Sequence, residues 1–548
     1  MPHAHSSRPP LALDLDQFDC WADCTLEGCC SPLLATEPVT TVLLVPPTTT
    51  ASLLLKSLGL LTHNIRSLAT DFLTHTFSKP KKPSWDIRLA MFISFFHQLT
   101  SHHHLGDLHI ARALVVMPNM IPGNAIVITP MSFRVRSCKL RGVLSKMDAE
   151  ETGRREIDGE WVAEKKVWNK WNDQMRMAKE EQKGERSAFD MGARARQQKK
   201  EASEEKIVLY LHGGAYYLMS AKTHRDITYR VSKVTGRRVF AINYRLAPET
   251  RFPGALLDAV YAFLYLTDPD GLAIDPSNIV VMGDSAGGGL ALAMILYLRD
   301  HRMANVGCAV LFSPWVDLTF SSPSWETNPH FDYLPPRPEE NNPLHPTKFY
   351  LGPDQYPQLA THPYVSPLFA RSFENLPPLL IQHGDSENLS DEISELARRI
   401  AATETTHIQY ECYEDMVHVF HAFNFLEPAK KAMESVGGFV KNVVPTVHKY
   451  QAQVSKLRLG NRSGAQAFVE SAHLVPNSTP ATARAHNRAS FAPSFHHLSV
   501  PAANAAAQLR TSKSDPNLRK DFGTHHGHEG WGSSIALEIT PWTMTAAV

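Results

Sequence analysis

A serine lies at the centre of a pentapeptide of small residues, Gly283-Asp284-Ser285-Ala286-Gly287. The apolar run Ile279–Met282 comes directly before it, and the helical run Leu290–Arg299 follows it. A G-x-S-x-G sequence between a strand and a helix is typical of a turn that presents a nucleophilic serine above a sheet. Its residues must be small because the turn is strained and a Cβ would collide with neighbouring backbone. Because the helix dipole favours developing negative charge at this position, we predict that Ser285 is a nucleophile.

A second turn with glycines follows an earlier apolar run. His212-Gly213-Gly214 comes directly after Ile207–Leu211. Attack of a serine on a carbonyl carbon produces a tetrahedral oxyanion, which needs backbone N–H donors that no side chain hinders. Two glycines after a strand supply such donors, and the amide after the serine supplies another. We therefore expect the amides of Gly213, Gly214 and Ala286 to form an oxyanion hole.

Serine chemistry of this kind also needs an acid and a histidine, which follow the serine in the order serine, acid, histidine. His418 comes after the last apolar run of the regular region and is the predicted base. His421 is its rival, and we expect it in the ensuing helix. The acid should come directly after the preceding apolar run, where Asp385 and Glu387 both qualify.

Six short apolar runs alternate with amphipathic helical stretches through this part of the chain. They are Ile207–Leu211, Arg238–Tyr244, Ile279–Met282, Cys308–Phe312, Leu379–Gln382 and Ile408–Tyr413. Near-continuous apolar strands separated by helices are typical of a parallel sheet that is covered on both faces. The fold class predicted from this pattern is α/β.

Composition divides the chain into five regions. Residues 1–78 are predicted to be a poorly ordered leader, and residues 79–163 a helix at Ile87–Phe96 with the first strands, at Ala125–Val135 and Leu140–Leu144. Residues 164–205 are a charge-dense helical insertion, with Trp168, Trp171 and Met175 on one face. This stripe suits a lid, but a surface helix that packs one face on the domain explains it better. Residues 206–450 are the α/β core, and 451–548 are expected to be a disordered tail.

The chain has 548 residues, of which 43% are hydrophobic and 20% are charged. These values exclude a polytopic membrane protein and a wholly disordered chain. Lys+Arg and Asp+Glu both number 55, so no general attraction to nucleic acid is expected. Seven cysteines are too few for a disulfide framework. Four of them lie near the N-terminus, and we interpret these as free thiols rather than a metal knuckle or a palmitoylation cluster: Cys20, Cys24, Cys29 and Cys30.

The N-terminal region shows no pattern of a signal peptide. Its most apolar stretch, Thr40–Leu61, is interrupted by Pro46, Pro47 and Lys56 and falls short of a spanning helix. We therefore expect an intracellular protein, and peripheral membrane contact through the N-terminal region stays open. No cofactor, metal or nucleic-acid partner is expected, and the oligomeric state is not predicted.

Several motifs, in this order, make the sequence similar to the hormone-sensitive-lipase branch of the α/β-hydrolase fold, which includes arylacetamide-deacetylase-like esterases. The resemblance covers roughly residues 206–445. It rests on His212-Gly213-Gly214, Tyr244-Arg245-Leu246-Ala247-Pro248-Glu249, Phe252-Pro253, the serine pentapeptide with Gly288, Ser313-Pro314-Trp315-Val316-Asp317-Leu318, and Met416–Phe420. It implies an α/β-hydrolase fold with a mostly parallel sheet, helices on both faces and an N-terminal helical cap. The helix at Ile87–Phe96 and the insertion 164–205 are candidates for that cap.

The resemblance also implies residue roles. The family's acid precedes a Pro/Val-Leu-x-Asp-Glu segment, and this alignment puts Glu387 in the acid position, with Asp385 two residues too early. The chain has Ala215 where the family usually has a third glycine, and a residue this small should still allow the turn. The implied activity is two-step acyl transfer: His418 takes the proton of Ser285, and Glu387 orients the imidazole. The expected substrates are small, moderately apolar esters.

Two alternatives remain open at this level. The same triad could hydrolyse amides or remove acetyl groups from amines. A protein of this fold could also bind a ligand without catalysis, but it would need to have lost a triad residue, and Ser285 and His418 are both present. Tyr216 and Tyr217 are predicted either to line the substrate pocket or to pack under the cap.

Overall fold

The computed structural model describes residues 68–77, 80–101, 108, 111–112, 123–184, 205–403, 405–453, 535–539 and 544–547. Most of the predicted leader, including its cysteines and the apolar run Thr40–Leu61, lies outside the described residues. Most of the predicted tail does so too. None of the described helices combines the length and hydropathy that a membrane-crossing helix needs.

One sheet organises the described chain. Its main strands are β1 (Ile126–Arg136), β2 (Thr152–Glu164), β3 (Ile207–Leu211), β4 (Arg238–Ile242), β5 (Ile279–Asp284), β6 (Cys308–Phe312), β7 (Leu379–Gly384) and β8 (Ile408–Tyr413). They lie in the order β1-β2-β4-β3-β5-β6-β7-β8. Strands β3 to β8 pair in parallel, while β2 is antiparallel to both β1 and β4. The predicted α/β fold with a mostly parallel sheet is confirmed.

Two further strands come from the region that was predicted to be disordered. Strand β9 (Ile535–Ile539) pairs antiparallel with β8, and β10 (Met544–Ala547) pairs antiparallel with β9. The prediction of a disordered tail is therefore wrong for these two segments. Both are short and mostly apolar, and sheet pairing supplies the partners that their backbone groups need.

Strands β3 and β6 are buried on both faces because their residues are apolar at every position. In β3, the side chains of Ile207, Leu209 and Leu211 enter one core, and those of Val208 and Tyr210 enter the other. Successive side chains of a strand point to opposite faces, so a continuous apolar run feeds two cores at once.

The described residues also form helices. They are α1 (68–77), α2 (Ile87–Ser101), α3 (Ser145–Ala149), α4 (Lys165–Gly184), α5 (Arg225–Thr235), α6 (Gly254–Thr267), α7 (Ala286–Asp300), α8 (Ser324–Thr327), α9 (Pro346–Leu351), α10 (Tyr356–Leu359), α11 (Ser390–Ala401) and α12 (Glu427–Gly438). Apolar residues of α6, α7 and α11 fill the first core. Those of α5 and α12 fill the second.

The N-terminal part of the sheet differs from the prediction at one strand. Strand β1 lies where Ala125–Val135 was predicted, but Leu140–Leu144 is not a strand, since Gly142–Leu144 forms a 3-10 turn. The second strand is β2, whose first half alternates buried and exposed positions. Charged residues occupy many of its exposed positions, so the segment lacks the continuous apolar run by which the other strands were recognised.

The two cap candidates lie in different places. Helix α2 packs through Leu89 and Ile93, together with Trp85 before it, against the segment that follows β8. Helix α4 instead places Trp171 over the guanidinium of Arg238, the first residue of β4, at 3.9 Å. It therefore lies at the amino ends of the parallel strands and packs one face on the domain, so the lid interpretation of the insertion 164–205 is wrong for α4.

Candidate active site

Ser285 occupies a strained turn between β5 and α7. Its φ is 53° and its ψ is −125°, a region that side-chain-bearing residues rarely adopt. Its amide donates to the carbonyl of Phe312 at 2.9 Å, which ties the turn to the end of β6. A Cβ at Gly283 would lie 2.4 Å from the carbonyl oxygen of Gly287, and one at Gly287 would lie 2.1 Å from that of Leu211. Both glycines are therefore required for the close approach that projects Ser285 from the sheet edge.

The turn after β3 has left-handed backbone at three consecutive positions. The φ angles are 107° at Gly214, 52° at Ala215 and 67° at Tyr216. A Cβ at Gly214 would lie 2.3 Å from the carbonyl oxygen of Leu218. Ala215 adopts the turn without a third glycine, as expected. Tyr216 is buried and its ring stacks on that of Tyr350 at 3.9 Å, which favours the packing role over a pocket-lining one.

One predicted oxyanion donor has a hydrogen-bond partner within the protein. The amide of Gly213 donates to Oδ1 of Asp284 at 3.2 Å, so it is already used inside the protein. Gly213 is instead needed for space, because a Cβ there would lie 2.2 Å from Oδ2 of Asp284. The other two predicted donors, Gly214 and Ala286, have no backbone acceptor among the described residues, and the same holds for the amide of Ala215. The amide of Ala215 could have been recognised as a candidate donor from its place in the turn after β3.

The buried carboxylate of Asp284 joins the serine turn to the turn after β3. Its Oδ1 accepts from the hydroxyl of Tyr210 at 2.7 Å, and its Oδ2 lies 3.2 Å from Nε2 of His224. Burial opposes the ionisation of Asp284, but His224 and Tyr210 keep the pKa of its carboxyl below the usual 3.8. Burial and the neighbouring His224 lower the pKa of His212 to about 3, so His212 is neutral and acts as a packing residue.

Two carboxylates compete for the acid role, and they have different surroundings. Glu387 is fully buried, and its Oε2 lies 3.7 Å from Nδ1 of His418. Asp385 instead accepts from the amide of Asp415 and the hydroxyl of Ser386, both at 2.8 Å. The geometry therefore favours Glu387 as the partner of the histidine.

His418 is buried beside Glu387, but their contact is loose. A separation of 3.7 Å suits an ion pair and is too long for a hydrogen bond. Nδ1 of His418 and Oε1 of Glu387 have no hydrogen-bond partner within the described part of the chain. Catalytic hydrogen bonds are often long without substrate and shorten when it binds. Ser285, Glu387 and His418 all follow the carboxyl ends of parallel strands, β5, β7 and β8, at one edge of the sheet.

The charges around His418 favour its protonated form. Burial lowers the pKa of the imidazole, but the carboxylates of Glu387, Asp332 and Asp284 outweigh burial and raise it above the usual 6.5. An imidazole with this environment can accept a proton from a serine and hold it. The rival His421 lies in the 3-10 turn Phe420–Ala422, where Nε2 is 3.2 Å from Oε1 of Gln382. Its ring packs on that of Phe312, with the centroids 4.3 Å apart, so the contact with Glu387 favours His418 as the base.

Two buried residues near the triad were given no role by the sequence. Ser313 belongs to the motif that follows β6, and its hydroxyl donates to Glu387 at 2.6 Å. Asp332 lies in an irregular segment and accepts from the amide of His418 at 3.2 Å. The position of Ser313 directly after a parallel strand was a usable signal, whereas no local pattern marks Asp332. No group of His, Cys, Asp or Glu side chains within the described ranges could hold a metal ion.

Known proteins are similar to this chain in sequence. A family model described as an alpha/beta hydrolase fold matches residues 208–422. An acetyl-hydrolase from Streptomyces hygroscopicus is 33% identical over 237 residues, which are 43% of this chain and 75% of the relative. An esterase from Acinetobacter venetianus is 33% identical over 253 residues, which are 46% of this chain and 80% of the relative.

A solved structure of an esterase/lipase from an uncultured bacterium is 28% identical in sequence, covering 62% of this chain and 92% of that one, with a TM-score of 0.45. The two curated relatives are matched over at least three quarters of their own length. The chain therefore belongs to the α/β-hydrolase family.

Proposed function

We propose that this protein is a serine carboxylic-ester hydrolase in which Ser285 is the nucleophile, His418 the general base and Glu387 the acid. The observation that carries the proposal is the buried pair of His418 and Glu387, 3.7 Å apart, at the sheet edge where Ser285 is held in strained backbone. A histidine beside a buried carboxylate can take a proton from serine and keep the charge that results.

The reaction proceeds in two steps. Oγ of Ser285 attacks the ester carbonyl carbon while Nε2 of His418 takes the hydroxyl proton, and the imidazolium then gives that proton to the leaving alkoxide. Water, deprotonated by His418, attacks the acyl-enzyme. The bond between the acyl carbon and Oγ of Ser285 then breaks, the imidazolium returns the proton to Oγ, and the carboxylic acid is released. Glu387 orients the imidazole and stabilises its charged form. No metal or cofactor takes part in these steps.

Backbone amides hold the oxyanion in this mechanism. We assign this role to Gly214, Ala215 and Ala286, since their amides have no backbone acceptor among the described residues. The amide of Ala286 also begins α7, so the helix dipole adds to its effect. Loss of one such donor costs about 10²–10³ in kcat.

The expected substrates are moderately apolar esters of short acyl groups. The relative named acetyl-hydrolase supports an acetyl or similarly short acyl group.

Hydrolysis of p-nitrophenyl esters from acetate to palmitate tests the proposal, with wild type and Ser285→Ala measured in parallel. We expect the wild type to hydrolyse short-chain esters fastest. In Ser285→Ala, kcat should fall by about 10³-fold or more, and labelling by a fluorophosphonate should be lost. Ser277→Ala is the matched control, because Ser277 is an exposed serine before the amino end of the same strand, β5. A wild-type protein that neither hydrolyses the esters nor reacts with the probe would refute the proposal.

A further inference from the structure

Ser313 joins the loop of the acid to the loop of the histidine. We call residues 385–389 the acid loop and residues 414–419 the histidine loop. The hydroxyl of Ser313 donates to Oε2 of Glu387 at 2.6 Å and accepts from the amide of Val419 at 3.0 Å. Its own amide donates to the carbonyl of Gln382 in β7 at 2.7 Å. Ser313 is fully buried and has a φ of 43°, so its position is fixed by the end of β6.

Asp332 joins the same two loops at other points. Its Oδ2 accepts from the amide of Asn388 in the acid loop at 2.8 Å. Its Oδ1 accepts from the amide of His418 at 3.2 Å and from that of Tyr333 at 2.8 Å. Asp332 is fully buried, so its contacts with both loops are shielded from water.

We propose that Ser313 and Asp332 are positioning residues that set the separation of the Glu387 carboxylate and the His418 imidazole; this proposal rests on the triad proposed above. Each side chain forms hydrogen bonds to both loops. Ser313 bonds to Glu387 and to Val419, which follows His418 in sequence. Asp332 bonds to His418 and to Asn388, which follows Glu387 in sequence. The loops follow different strands, β7 and β8. Sheet pairing ends where the strands end, so these hydrogen bonds hold the two loops relative to each other.

The serine turn is part of the same arrangement. The backbone amide of Ser285 donates to the carbonyl of Phe312, and Ser313 follows Phe312 in sequence. The dipeptide Phe312-Ser313 therefore contacts all three segments that carry the triad. A displacement at Ser313 would move the acid and the base relative to the nucleophile, and misplacement by about 1 Å costs about 10²-fold in rate.

Asp332 also contributes charge. The groups that face His418 are Glu387 in the acid loop, Asp332 in the irregular segment, Asp284 at the end of β5, and His421 three residues along its own segment. Burial and the charge of Glu387 raise the pKa of Asp332 to about 6, against the opposite effect of His418. On the other side of Asp332, His97 of α2 contacts its carbonyl oxygen. Above pH 6, Asp332 is charged and favours the imidazolium of His418.

The test measures kcat and KM for p-nitrophenyl acetate across pH in Ser313→Ala and Asp332→Asn. We expect kcat to fall about 10–100-fold in each with KM nearly unchanged. In Asp332→Asn the acid limb of kcat/KM should also move to lower pH, because a negative charge near the imidazole is lost. A purely structural defect lowers the active fraction but leaves this limb in place.

Ser324→Ala is the matched control. The hydroxyl of Ser324 is also buried and donates to the acid loop at 2.6 Å, but to the carbonyl of Asn388 and with no bond to the histidine loop. Its kcat should stay within about threefold of wild type, because its two hydrogen bonds, to the carbonyl of Asn388 and from the amide of Asp391, do not link the acid loop to the histidine loop. An equal loss of kcat in Ser324→Ala and Ser313→Ala would overturn the proposal.

A milder variant keeps the test decisive if Ser313→Ala does not fold. Ser313→Cys preserves the shape and a weaker donor. It should fold and lose kcat by an intermediate factor, so full kcat in this variant overturns the role of Ser313.

The role of Asp332 has its own contradicting outcome. It is overturned if folded Asp332→Asn keeps the wild-type kcat and the acid limb of its kcat/KM profile does not move. An inactive wild type that resists the fluorophosphonate refutes the triad itself, whereas an active wild type with unaffected variants refutes only the positioning role.

Discussion

The amide of Gly213 donates to the carboxylate of Asp284, the residue directly before the serine nucleophile, at 3.2 Å. This bond joins the turn after β3 to the serine turn and holds both in register. The glycine itself is needed for space, because a Cβ at this position would lie 2.2 Å from Oδ2 of Asp284.

Gly213→Ala should therefore lower activity severely. The new Cβ would lie 2.2 Å from Oδ2 of Asp284, so either the carboxylate or the turn must move. We expect kcat to fall by about 10²-fold or more, because the neighbouring oxyanion donors would shift with the turn. The measurement is kcat for p-nitrophenyl acetate. Gly438→Ala, where a Cβ meets nothing within 4 Å, should retain full activity.

Glu387 and Asp385 should differ sharply when each loses its charge. Glu387→Gln removes the buried carboxylate beside His418, and a comparable change in a serine hydrolase costs about 10⁴ in kcat. Asp385→Asn should cost less than about tenfold, because Asp385 bonds to Asp415 and Ser386 rather than to the histidine. Steady-state kinetics of both variants decide between them, and a larger loss in Asp385→Asn would reverse the assignment of the acid.

The pH dependence of kcat/KM should report the raised pKa of His418. The base must be neutral to take the proton of Ser285, and its pKa lies above 6.5. Activity should therefore be low at pH 6 and rise through a midpoint above 6.5. Glu387→Gln should shift this midpoint to lower pH through loss of the main favourable charge. A wild-type midpoint below 6 would contradict the proposed surroundings of the imidazole.

Asp148 should stabilise the fold rather than contribute to catalysis. It is buried, and accepts hydrogen bonds from the amides of Cys138 and Leu140 and from the hydroxyls of Ser137 and Tyr261. Burial opposes its ionisation, but these bonds keep the pKa of its carboxyl below 3.8. A lowered folded-state pKa gives stability that is present above the unfolded pKa of about 3.9 and is lost as pH falls through the folded value.

Asp148→Asn should therefore reduce the free energy of unfolding by about 1.5–3 kcal/mol at pH 7, the usual contribution of hydrogen bonds to a charged group. The difference from wild type should shrink below about pH 4, and urea unfolding at the two pH values measures it. Asp173→Asn is the control, because Asp173 is exposed and pairs only with Arg176 at 3.4 Å. A change above about 0.5 kcal/mol in the control would point to a general charge effect.

Continuous apolar runs made the parallel strands predictable from sequence. Ile207–Leu211, Cys308–Phe312 and Ile408–Tyr413 coincide with β3, β6 and β8. Strand β2 was missed because an antiparallel strand near the sheet edge exposes alternate residues, and its charged positions break the apolar pattern. Its pairing with β4 depends on contacts distant in sequence, which no local pattern encodes.

For the site, the order of motifs was sufficient to predict Ser285, Glu387 and His418 as candidates, since each follows a parallel strand. The use of the Gly213 amide by Asp284 was not predictable, because it depends on the distance between two turns that are 71 residues apart. Asp332 was missed for the same reason. Its two loop contacts span 56 and 86 residues, and nothing in its own neighbourhood marks it as a buried carboxylate.

Residues before the family-matched region 208–422 hold both flanks of the site. The indole of Trp85 donates to the carbonyl of Asp415 in the histidine loop at 2.6 Å. The guanidinium of Arg112 donates to the carbonyls of Tyr217 and Ala247 at 2.9 Å each. A protein trimmed to the matched region would lose these supports and expose the apolar underside of the histidine loop to water. The packing of the matched region thus depends on residues that precede it in the chain.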